Sequence, residues 1–308
     1  MRRPTSFLAA VAAAAVAGAI ALAGCGSAEP GGESASGKLQ VVAAENFWGS
    51  IASQLGGHDV EVRSIIVNPN TDPHSYEPTA ANARTMADAQ MTIVNGIGYD
   101  EWASRLLSAD PAGGRVRLDV GSLLGLRAGD NPHQWYSPAH VHAVIDQTVA
   151  DYDKLRPTEA SYFAQRKRAF ETVGLARYNV LLKQIRARYA GVSVGYSESI
   201  FQPLGEALGL KLMTPYSFAK AIAEGTEVSA QDKQTVDRQA SDHQIDVWVL
   251  NSQNVTPDVQ RVGELARGAS IPIATVTETL SPATDSFQQW QVAELEELER
   301  ALHRATGR

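Results

Sequence analysis

Hydrophobic residues along this chain switch repeatedly between a two-residue and a three-to-four-residue period, in two separate blocks, and that pattern constrains the fold more than any other feature. In the first block, short β-branched runs fall at 39–44, 60–67, 91–95 and 116–120, each bounded by Gly, Pro, Asn or Asp, as strands are. Helix-like segments lie between them at 47–55, at 80–89 behind the helix-starting pair Pro78-Thr79, and at 99–107. A second block has strand-like runs at 192–196, 210–214, 245–250 and 271–276, separated by helical stretches such as 200–208 and 230–241. Strands alternating with helices imply parallel sheets covered on both faces. Two such blocks imply an α/β fold with two parallel-sheet lobes.

The stretch joining the blocks is helical almost throughout. After the start signal Ser137-Pro138, residues 139–155 have helical character as far as Pro157, and 158–189 continue with Gly174 as the one conspicuous breaker. Tyr162, Phe163, Phe170, Val173, Tyr178, Leu181, Leu182 and Ile185 fall mainly three or four residues apart. Two arrangements fit: a helical hairpin inside one domain, or one long rigid helix (~45 Å for thirty residues) spanning both lobes. The expected boundaries are a first lobe at 38–157, a linking helix at 158–189 and a second lobe at 190–308.

Residues 1–24 stand apart. Arg2 and Arg3 precede an uncharged run, 7–23, of Ala, Val, Leu, Ile and Gly behind Phe7, the layout of a secretory signal and too Ala-rich for a membrane span. It ends at Leu22-Ala23-Gly24-Cys25, which resembles a bacterial lipobox, and implies lipidation of Cys25. That is the only cysteine of the chain, so no intramolecular disulfide is possible. Acyl chains contribute ~0.8 kcal/mol per buried CH₂, so two or more hold a soluble body to a membrane. Residues 25–37, rich in Gly, Ser, Pro and Glu, have nothing to bury and are expected to be a flexible tether. The expected location is therefore the outer face of the plasma membrane. A net charge of −7 with no basic block argues against a nucleic-acid partner.

Familiar catalytic signatures are absent: there is no G-x-S-x-G, P-loop, H-E-x-x-H or dinucleotide glycine fingerprint. Two histidines attract attention instead. His74 lies in Asp72-Pro73-His74-Ser75-Tyr76-Glu77-Pro78, and His133 in Asn131-Pro132-His133-Gln134-Trp135-Tyr136-Ser137-Pro138. Each follows a proline in a loop before a helix. Proline fixes local φ and restricts its neighbour, and a stiff loop loses little entropy when its side chain binds an ion.

Those two segments resemble the histidine motifs of the zinc/manganese family of solute-binding lipoproteins that serve metal ABC importers. Further likeness lies in the opening segment 44–57 (AENFWGSIASQLGG), in 93–102 (IVNGIGYDEW), and in 276–280 (VTETL) followed by a terminal helix with Trp290. The resemblance covers essentially the whole mature chain. It implies two α/β lobes bridged by one long helix, a metal site in the interlobe cleft, and delivery of Zn2+ or Mn2+ to a permease and its ATPase by a monomer. It also implies ligands: His74 and His133 from the first lobe, Glu198 in Tyr196-Ser197-Glu198-Ser199, and a carboxylate after the last strand. Glu278 is favoured for that last place because it follows the 271–276 run directly. Asp285, in Thr284-Asp285-Ser286, is the rival.

Two neutral imidazoles and two carboxylates would cancel the charge of a divalent cation, so the assembly could be enclosed without burying net charge. Carboxylates suit manganese and imidazoles suit zinc, so the ligand types leave the choice open. Alternative functions are a surface adhesin or interaction lipoprotein, and a metallohydrolase. The latter would keep an open ligand position and a poised acid or base, for which the motifs offer no residue.

Overall fold

The computed structural model describes residues 37–69, 71 and 76–308. Cys25, the signal and nearly all of the tether lie outside the described residues, as does His74. Strands form where the alternation places them. The first sheet contains β1 (Leu39–Glu45), β2 (Val60–Ile66), β3 (Met91–Val94) and β4 (Val116–Asp119), in the order β2-β1-β3-β4. The second contains β5 (Ser193–Tyr196), β6 (Lys211–Leu212), β7 (Val247–Asn251) and β8 (Ile273–Val276), in the order β6-β5-β7-β8. All pairings are parallel. In each sheet the strand order reverses beside the first strand. Open parallel sheets bind ligands at such points, beyond the carboxyl ends of the strands.

Among the described residues, twelve α-helices connect and cover the strands. α1 (Asn46–Gly56), α2 (Ala80–Ala87), α3 (Glu101–Ala109) and α4 (Val120–Leu124) belong to the first half. α5 (Pro138–Leu155) begins on the proline that marked it in the sequence. α6 (Ala160–Ala169) and α7 (Ala176–Tyr189) follow, then α8 (Gln202–Ala207), α9 (Tyr216–Ala223), α10 (Ala230–Ser241), α11 (Pro257–Gly268) and α12 (Phe287–Thr306). Thr79, Ser229, Thr256 and Ser286 cap four of these helices by accepting from a backbone N–H of the first turn. None of the helices among the described residues is long and apolar enough to cross a membrane.

The stretch 158–189 is helical almost throughout, with a local change of winding. It opens with a 3₁₀ turn and contains a π turn at Phe170–Gly174, closed by Leu175 N donating to Phe170 O over 2.8 Å. Gly174 makes room for this: a Cβ there would lie 2.9 Å from the buried Phe170 ring. α6 packs on α1 and α5, whereas α7 packs on α12.

Alternation within strands assigns each face to a different core. In β1, Val41 and Ala43 join the main cluster, while Val42 and Ala44 turn to a smaller one with Ile66, Met86 and Trp102. In β7, Val247 and Val249 join the main cluster, and Trp248 packs in a third with Phe218, Val236 and Val262. The main cluster is continuous from one sheet to the other, through α1, α5, α7 and α12. The two halves therefore share apolar interior, which restricts motion between them far more than a polar interface would.

Candidate metal centre

His133 sits in the loop that leads from α4 towards α5, with no solvent exposure. Asn131 shapes that loop: its Oδ1 accepts from the His133 backbone N–H at 3.0 Å and lies 2.8 Å from His133 Nδ1. Asn131 Nδ2 donates across to Ser199 O (2.8 Å) and Gln202 Oε1 (3.2 Å) in the second half. With Oδ1 as the acceptor, the imidazole carries its proton on Nδ1 and directs the Nε2 lone pair the other way. The ring stands edge-on to Trp135 and Tyr99, at centroid distances of 5.2 and 5.9 Å. Burial in this aromatic enclosure pushes its pKa down to about 4, against the pull of Glu198, so the ring is neutral at neutral pH.

Two carboxylates face Nε2. Glu198 Oε1 is 3.7 Å away and Glu278 Oε2 3.6 Å. Glu198 follows β5 in extended backbone and is 1% exposed; Glu278 follows β8 and is 7% exposed. Burial, reinforced by the charge of Glu278, holds the Glu198 carboxyl well above the usual range. One ligand-type atom from each of His133, Glu198 and Glu278 lies within 4.8 Å of the others. Asp285 is not in this cluster. It lies in the lead-in to α12, where its N–H bonds Pro282 O.

Several residues that the sequence reading did not single out hold the acids in place. Asn251, at the end of β7, donates from Nδ2 to Glu198 Oε2 (2.6 Å) and to Glu278 Oε1 (2.9 Å). Asn254 Nδ2 adds a second bond to Glu198 Oε2 at 3.2 Å. Gln253 Oε1 accepts from the Glu278 and Thr279 N–H groups, at 2.7 and 3.1 Å. From the first half, the Tyr99 hydroxyl donates to Glu278 Oε2 at 2.9 Å; burial and the Glu278 charge hold it well above the usual phenol range, hence protonated. The available signal was Asn251-Ser252-Gln253-Asn254, an amide-rich run that starts where a strand stops.

A second acidic pair lies nearby in the first half. Glu45 ends β1, fully buried, and its carboxyl is pushed well up by burial and then by Asp100. Asp100 accepts from the Asn95 and Gly96 N–H groups (2.7 and 2.8 Å), and burial raises it to about 6. Through these two bonds Asp100 closes the Asn95-to-Asp100 turn that presents Tyr99.

Comparison with known proteins adds a family and a fold. A family model described as zinc-uptake complex component A, periplasmic, matches residues 41–301. A putative metal-binding protein of Treponema pallidum (strain Nichols) is 24% identical over 203 residues, 59% of this chain and 63% of that protein. The manganese-binding lipoprotein MntA of Halalkalibacterium halodurans is 26% identical over 155 residues, 49% of this chain and 51% of its own length. The chain thus spans between half and two thirds of the length of these curated relatives. Among solved structures, the periplasmic zinc-binding protein TroA from Treponema pallidum superposes with a TM-score of 0.71 at 17% identity, over 87% of this chain and 99% of that one. A Mn-bound periplasmic metal-binding protein from Candidatus Liberibacter asiaticus gives 0.71 at 19% identity, over 86% and 100%. At such identities the likeness shows the two-sheet α/β fold.

Proposed function

This chain belongs to the family of periplasmic zinc-uptake complex component A proteins, and we propose that it captures a divalent transition metal outside the cytoplasm and delivers it to an ABC-type importer. The observation that carries this reading is the convergence of His133, Glu198 and Glu278, all buried, from three separate loops. Buried carboxylates and an imidazole directed at one point are costly to enclose unless an ion joins them. His133 comes from the first half and the two glutamates from the second, so an ion held there links both.

In the same reading, His74 supplies a further imidazole, Cys25 is lipidated, and residues 25–37 tether a monomeric body to the outer face of the membrane. The helical stretch 158–189 acts as the strut between lobes at 38–157 and 190–308. Support for the strut comes from the packing of α6 on α1 and of α7 on α12. The partners are the permease and its ATPase. We read the site as a carrier, because the amide and phenol groups around the two acids hold them in place by hydrogen bonds.

Metal titration of the purified protein tests the assignment. His133→Ala and Glu198→Ala should each weaken Zn2+ and Mn2+ binding at least about 100-fold, and His74→Ala by about 10-fold or more. Stoichiometric binding that survives in both the His133 and the Glu198 variants would sink the proposal.

A further inference from the structure

Asn251 divides the N–H bonds of one buried amide between the two acids of the centre. Its Nδ2 lies 2.6 Å from Glu198 Oε2 and 2.9 Å from Glu278 Oε1. The amide cannot flip without loss, because Oδ1 accepts from the Gln253 backbone N–H at 3.0 Å. The Asn251 backbone N–H is fixed in turn by Ser197 Oγ at 2.8 Å, and the residue has no solvent exposure. Asn251 therefore holds Oε2 of Glu198 and Oε1 of Glu278, and leaves the other oxygen of each turned towards the imidazole. The presented atoms are Glu198 Oε1 and Glu278 Oε2, the two oxygens that face His133 Nε2 at 3.7 and 3.6 Å. Asn254 reinforces the arrangement on Glu198 Oε2, and Tyr99 occupies part of Glu278 Oε2.

We propose that Asn251 is a specificity-determining residue: it fixes Glu198 and Glu278 as one-oxygen donors, and so adapts the centre to a four-coordinate ion such as zinc over manganese. The inference rests on the capture reading above and deepens it. Zinc takes four donors in a tetrahedron from nitrogen and single carboxylate oxygens. Manganese favours oxygen-rich, higher-coordinate shells, which carboxylates supply when both of their oxygens turn to the ion. Turning either acid that way requires breaking its bond to Asn251. Partners beyond the ligands tune metal sites by orienting them, commonly by 10- to 100-fold.

The test compares the wild-type protein with Asn251→Ala, using Co2+ as a spectroscopic probe and Zn2+ against Mn2+ in competition. Wild-type protein loaded with Co2+ should show the intense visible bands of four-coordination. Asn251→Ala should weaken those bands towards higher coordination and narrow the Zn2+-to-Mn2+ affinity ratio by about 10-fold. Asn254→Ala should shift both readouts in the same direction by a smaller amount, and serves in place of Asn251→Ala if that variant loses its circular dichroism. Four-coordinate bands and an unchanged ratio in a folded variant would overturn the proposal, as would higher-coordinate Co2+ in the wild type. Both results leave metal capture standing. Failure of the wild type to bind any of the three ions removes the capture reading and this inference with it.

Discussion

Glu278 and Asp285 are seven positions apart, follow the same strand, and differ completely in surroundings. Glu278 is bonded by Asn251 and Tyr99 and faces His133, whereas Asp285 sits half-exposed before the Ser286 cap of α12. Asp285→Ala should therefore leave Zn2+ affinity within about 3-fold, while Glu278→Ala should reduce it about 100-fold or more. Isothermal titration separates these outcomes, and the reverse ranking would reassign the fourth position. Glu294 offers a prediction on stability. Its carboxyl lies beneath the Tyr136 hydroxyl (2.6 Å), Thr277 Oγ1 (3.0 Å) and Trp290 Nε1 (2.8 Å). Burial raises it to about 8 although all three donors oppose the shift. The folded state thus binds this proton more tightly than the unfolded chain does. Its contribution is fully present below about pH 4.5, and is lost as pH rises through about 8, at up to about 1.4 kcal/mol per unit. Urea midpoints of metal-free protein should fall over that range, and Glu294→Gln should flatten the fall. Of the residues that build the candidate centre, three stood out in the sequence. His133 lies between prolines, and Glu198 and Glu278 follow strand-like runs. Asn251 did not stand out, because an amide after a strand also signals an ordinary turn, and only the fold brings it to two acids distant in sequence.

At the scale of elements, Gly195 occupies the middle of β5, three residues before Glu198. A Cβ there would meet Ile245 Cδ1 at 2.7 Å and the buried Trp248 ring at 2.9 Å. The strand can lie against that indole only as glycine. Gly195→Ala should cost about 1–3 kcal/mol by overpacking, read as a lower urea midpoint, and an unchanged midpoint would show that Trp248 gives way. Strand and helix positions followed from hydrophobic period with small shifts at the ends, since neither period marks its own boundary sharply. β6 shrank to Lys211–Leu212, an edge strand paired only with β5. The π turn at Phe170–Gly174 had one visible trace, Gly174 itself. Its cause, the fit of the Phe170 ring over a missing Cβ, is a tertiary contact that no local pattern encodes.

For the whole molecule, two equal strand orders could be foreseen as two lobes, but the apolar continuity between them could not. Periodicity shows which face of an element is buried, and not what it is buried against. Because Val41 and Ile93 of one sheet belong to the same cluster as Val194 and Val249 of the other, the halves should unfold together. Calorimetric and fluorescence transitions of the metal-free protein should coincide, whereas two separable transitions would mean that the shared core contributes little. Saturating metal should raise the melting temperature with the logarithm of free metal, as expected when only the folded state binds.

That shared core also bears on time. Halves joined through α1, α5, α7 and α12 cannot swing apart cheaply, so an enclosed ion would leave through local opening of the loops around His133, Glu198 and Glu278. Its residence time is then set by the opening free energy of those loops. Amide hydrogen exchange at Ser197–Ser199 and Asn251–Asn254 would report that energy directly, and an importer that accelerates release would have to act on these loops, not on a hinge.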